Sequence, residues 1–157
     1  MTQTEILQIV TGFLGSLAFA VLFHIRGKKL VLAGLGGFLS WTVFVLLKFV
    51  TENEPVRYFA VAVLISLYAE ILARLLHTPT TTFVISSLIP LIPGGSLYYT
   101  MAAMLEGETE GFVERAIYTL ELTAALALGI VLSGAVARMI TTAQMHRKQK
   151  RKDEARQ

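Results

Sequence analysis

Five stretches of this chain, at residues 6–23, 30–50, 56–76, 82–105 and 112–140, stay apolar over the roughly 17–25 residues that a bilayer-crossing helix needs. Charged residues cluster in the short gaps and at the C-terminal end. Hydrophobic residues make up 54% of the 157 and charged residues only 16%, whereas soluble domains carry about 25% charged residues. The pattern predicts an all-α polytopic membrane protein. It excludes a soluble enzyme, a nucleic-acid-binding domain and a secreted scaffold. The chain has no cysteine, so disulfides, iron–sulfur clusters and thiolate chemistry fall away. The net charge of +3 gathers beside the last span and reads as a membrane flank with no nucleic acid as partner.

No Lys or Arg precedes the first stretch, so it is expected to remain in the mature protein rather than serve as a signal peptide. Lys and Arg collect on cytoplasmic flanks. With five crossings and the N-terminus outside, eleven of the fourteen basic residues fall on the cytoplasmic side. Lys48, Arg57 and Arg115 stay outside, with the acidic loops. Residues 1–144 form a single membrane domain, and the basic tail at 145–157 anchors the topology near anionic headgroups or docks a soluble partner.

Membrane helices associate through small residues that let backbones approach closely. Gly12, Ser16, Ala20 and His24 line one face of the first helix, and Ala125, Gly129, Ser133 and Ala137 one face of the fifth. Both faces are expected to pack, within this chain or against another subunit. Ala62, Ser66, Glu70 and Arg74 give the third helix a stripe that grows polar toward the cytoplasm. Trp41 lies too deep for an aromatic belt and is expected to pack against protein, while Lys48 reaches the headgroups.

The fourth stretch carries a helix breaker at its centre: Pro90, Pro93, Gly94 and Gly95. Each proline lacks an N–H, and the glycines accept unusual backbone conformations. Unwound backbone at membrane depth survives only where protein buries it or where it lines a wet cavity. Two half-helices meeting at such a break can offer N–H groups to an anion and carbonyls to a cation. The amides at 96–99 are then expected to face a substrate carboxylate, and the carbonyls at 87–89 an ammonium. The hydroxyls of Ser86, Ser87, Ser96, Tyr98 and Tyr99 are expected to line the same space. The plain alternative is a kinked helix with its freed carbonyls satisfied by neighbours.

Glu70 and Glu121 are the acids inside spans, on opposite sides of the midplane, where a carboxylate marks a proton relay, a pathway or a pair. Arg74, one turn after Glu70, can simply neutralise it. Glu121 has no base one turn away; its plain role is a hydrogen bond to another helix. His24, His77 and His146 read as interfacial residues. No motif for a metal site, cofactor or hydrolytic nucleophile occurs, so the expected protein is not an enzyme and holds no metal or cofactor.

The run around Pro90, Pro93 and Gly94, in a chain of this size with small-residue-rich helices and a basic C-terminal end, resembles the threonine/serine exporter family. It is most similar to the short YjjB-type subunit of its split form, which corresponds to the C-terminal membrane half of the full-length exporters. The resemblance implies a bacterial inner-membrane antiporter that exports threonine and serine on the proton gradient. It also implies a larger YjjP-type membrane subunit supplying five further helices. On that reading Pro90, Pro93, Gly94, Gly95, Ser96 and Tyr99 bind the substrate, and Glu121 and Glu70 couple protons. Two other readings remain: a dicarboxylate exporter subunit, since some split members are associated with such export, and a non-transporting subunit that stabilises a partner, with a homo-oligomer also open.

Overall fold

A computed structural model describes residues 3–154, with side chains described for 3–140. The side chains of the basic tail and of His146 lie outside the described residues. All regular structure described is helical: α1 (Gln3–Leu22), α2 (Lys28–Leu47), α3 (Glu54–Leu75), α4 (Thr81–Leu88), a 3-10 turn (Ile89–Leu91), α5 (Gly94–Leu105) and α6 (Thr109–Glu154). Four helices are long and apolar enough to cross a membrane, and α4 with α5, bent by 54°, makes a fifth candidate if the pair is one span.

Local chemistry sets the helix ends. Asn53 caps α3 by accepting from the Val56 N–H at 3.2 Å, and Pro55 follows in the first turn, where its missing N–H costs nothing. At the ends of α1 and α3 the chain turns through left-handed residues, His24 (φ 58°) and His77 (φ 49°). The following amides reach back into the last turn, Ile25 to the Ala20 carbonyl and Thr78 to that of Ala73. These are glycine positions occupied by histidine. His24→Gly and His77→Gly are each expected to stabilise the protein by about 0.5–1 kcal/mol, because relief of the left-handed strain exceeds the extra chain entropy of glycine. Thermal unfolding in detergent checks this.

Small residues decide which helices meet. A Cβ on Gly37 would lie 1.8 Å from Ser16 Oγ, and one on Gly12 2.3 Å from Trp41 Cδ1, so α1 and α2 pack closely through these positions. Trp41 also packs its ring against Phe44, tilted by 48° with 5.1 Å between centres. A Cβ on Gly129 would lie 2.6 Å from Ala62 Cβ and 2.8 Å from the Phe59 carbonyl oxygen, which sets α6 against α3. The two small-residue stripes are therefore buried against neighbouring helices of the same chain, not against each other. His24, at the end of the first stripe, is exposed.

Long-range contacts fix direction. Glu54, opening α3, accepts from the Tyr118 hydroxyl early in α6, while Arg74, near the end of α3, donates to the Ala137 carbonyl at 2.9 Å. Thus α3 and α6 run parallel. Lys48 pairs with Glu5 at 3.4 Å across the α1–α2 hairpin, rather than only reaching outward. Two apolar clusters fill the bundle. One is built on Phe44, Tyr58, Val61, Ile65, Leu88, Leu91 and Leu122; the other on Ala20, Ile25, Ala33, Ala69, Ala73 and Phe83. Much of the remaining apolar surface is exposed, as hydrocarbon-facing helices require.

Candidate functional site: a helix break and two cavities

Pro90 and Pro93 cannot donate to the carbonyls one turn back, and the chain answers by unwinding over three residues. Ile92 is extended (φ −61°, ψ 125°) and Pro93 leads into α5 (φ −74°, ψ 58°). The Ile92 N–H bonds the Ile89 carbonyl at 3.1 Å and the Gly94 N–H the Ile92 carbonyl at 2.6 Å. No side chain caps the start of α5. A Cβ on Gly94 or Gly95 would meet nothing within 4 Å. These glycines therefore serve the turn and an open approach, in contrast to the tightly packed Gly37 and Gly129.

The hydroxyls on the two sides of the break do not share one space, which corrects the expectation from sequence. Ser86 and Ser87 are buried in the bundle: Ser86 Oγ donates to the Thr82 carbonyl at 2.9 Å, and Ser87 Oγ donates across to the Ala33 carbonyl of α2 at 3.4 Å. Beyond the break the helical phase has changed. Ser96 and Tyr99 line a separate cavity of about 410 Å³ with Arg115, Tyr118 and Thr119. There Arg115 Nη1 reaches the Tyr99 carbonyl at 3.4 Å, and the Thr100 and Thr119 hydroxyls meet at 3.1 Å, tying α5 to α6. Tyr98 is exposed, in edge contact with Tyr99 at 5.4 Å between ring centres.

Glu70 lies in a larger cavity of about 620 Å³ between α3, the start of α4, and α6. Its Oε1 accepts from Arg74 Nε at 3.3 Å and Nη2 at 3.1 Å, and its Oε2 accepts from Thr80 Oγ1 at 2.8 Å. Through Arg74 the same knot reaches the Ala137 carbonyl of α6. Arg138 and the buried Ser66 and Ser133 share this cavity. Glu121 does not line it. That side chain is exposed on α6, and about 25 Å of helical rise separates it from Arg138. The two acids therefore occupy different places along the bundle.

Three features escaped the sequence. Arg57, counted there as an outer flank, is buried with its guanidinium 4.9 Å from the centre of the Phe44 ring, an arrangement in which the ring face compensates for lost hydration. Tyr118 joins α6 to Glu54. Arg138 of α6 shares a cavity with Glu70 and Ser66 of the α3 stripe from a helix far away in sequence, so no local spacing announces it.

The family described as Threonine/Serine exporter, ThrE, matches residues 8–136. A threonine/serine exporter of Corynebacterium glutamicum is 30% identical over 135 residues, covering 85% of this chain and 27% of that protein. The chain thus spans about a quarter of the length of the curated relative it matches. No solved structure matches it at a significant level.

Proposed function

Because this multi-pass membrane chain belongs to the threonine/serine exporter family, we propose that it is one half of a proton-coupled antiporter that carries small amino acids out across the bacterial inner membrane. It moves a solute and makes no covalent bond. The carrying observation is the break between α4 and α5, with its open glycines and uncapped helix start. The parallel course of α3 and α6 supports a full crossing by the bent pair, since one intervening span must bring the chain back. Five crossings with the N-terminus outside then follow, as the distribution of Lys and Arg favours.

The second half is a larger membrane subunit of the YjjP type. Two observations support it. The chain spans only part of its relative's length, and Glu121 is exposed on a membrane helix, where insertion scales set the cost of a charged acid at about 2.5–3.5 kcal/mol at mid-depth. Contact with a partner across that face converts the cost into a proton site. Substrate passes the break, guided by the α5 amides and by Pro90, Pro93, Gly94, Gly95, Ser96 and Tyr99. Glu70, held by Arg74 and Thr80, contributes a fixed charge at the cytoplasmic end and takes the secondary role in coupling.

Labelled serine or threonine in vesicles that contain both chains tests this. Glu121→Gln is expected to reduce proton-driven flux to background while exchange of labelled for unlabelled substrate continues. Unchanged driven flux would remove the coupling role. Full transport by the larger subunit alone would leave this chain as a stabilising subunit.

A further inference from the structure

The cavity between α3, α4 and α6 holds groups that the break does not use. We infer that it binds a small zwitterionic amino acid, with Arg138 taking the carboxylate, Glu70 the ammonium and Ser66 a side-chain hydroxyl. This deepens the transport reading by placing a loading site at the end proposed as cytoplasmic.

Its volume, about 620 Å³, falls within the roughly 300–1,000 Å³ of small-molecule clefts. It brings both signs of charge to one space. Arg138 makes no hydrogen bond or ion pair among the described residues, so its guanidinium fork is available for two-point contact with a carboxylate. Glu70 Oε2 accepts only from Thr80 Oγ1 among the described residues, and a carboxylate oxygen has capacity for a second donor. Ser66 supplies the independent sign of a ligand. Its residue is 5% exposed and its Oγ is buried without a partner, a state that costs about 1–3 kcal/mol unless something in the cavity answers it. Ser133 spends its proton on the Gly129 and Ile130 carbonyls, at 2.9 and 3.0 Å, and so offers only lone pairs inward. Gly134 leaves the α6 wall without a side chain.

The test is calorimetric titration of L-threonine into the full chain in phosphatidylcholine nanodiscs. Saturable binding is expected, lost when the carboxylate is esterified or the amine acetylated. Arg138→Gln is expected to weaken it about 10- to 100-fold, the value of a charge-assisted contact. Ser66→Ala should fold as the parent does, bind threonine and serine about three- to tenfold more weakly, and bind alanine unchanged. Arg26→Gln, outside the cavity, is the control. Absence of saturable binding, or equal binding by Arg138→Gln and the parent, overturns the inference. Threonine bound by a chain that supports no flux upholds the site and sinks the transport reading, whereas flux without binding here does the reverse.

Discussion

Gly129→Leu is expected to prevent assembly of the bundle. A side chain at this position meets Ala62 Cβ at 2.6 Å, the Phe59 carbonyl oxygen at 2.8 Å and the Val63 nitrogen at 3.3 Å. Two of these atoms are helix backbone, which cannot rotate aside, so α3 and α6 must separate. The loss reaches the Arg74 contact with Ala137 and the Tyr118 contact with Glu54, which lie on either side of the same crossing. Overpacking in a close-packed interior typically costs about 1–3 kcal/mol, and a forced backbone separation belongs at or above the upper end. The variant should be absent from the monodisperse peak in size-exclusion chromatography of detergent extracts. Gly15→Ala, where a Cβ meets nothing within 4 Å, should remain in that peak and gain up to about 1 kcal/mol from helix propensity.

The second large effect concerns transport with folding preserved. Joint replacement of Pro93, Gly94 and Gly95 by alanine shifts the local preference toward helix by about 3 kcal/mol for the proline and about 1 for each glycine. The new methyl groups at 94 and 95 enter open space. The variant is expected to fold as the parent does, with α4 and α5 merged into a straighter span. Flux of labelled threonine in vesicles containing both subunits should drop to background. Parental flux from a folded variant would show that the break is dispensable.

Sequence patterning carried some of this structure and not the rest, for physical reasons. Apolar length marks each long helix, because a bilayer demands it. Small-residue spacing identified Gly12, Ser16, Gly129 and Ser133 as packing positions, since only backbone proximity rewards glycine on a membrane helix. It did not say which helices would pair, because every small-residue face is compatible with every other. Around Pro93 the chain loses its helical phase, so the direction of Ser96 relative to Ser87 cannot be extrapolated. That is why two hydroxyl groups expected in one space point into different ones. The meeting of Arg138 with Ser66 and Glu70 depends on the packing of α6 against α3, and Arg138 reads in sequence only as a topology charge. Glu121 was legible as an unusual acid, but lipid-facing and partner-facing helix surfaces are both apolar, so its exposure was not.

The central claim is that the backbone between α4 and α5 is open to water and solute within the membrane. The chain's lack of cysteine makes the direct measurement clean: Gly95→Cys, assembled with the larger subunit in vesicles, is challenged with a membrane-impermeant maleimide. The account predicts reaction at that position, slowed by added threonine and unaffected by an amino acid that is not transported. A thiol that stays unreacted with and without threonine would contradict it.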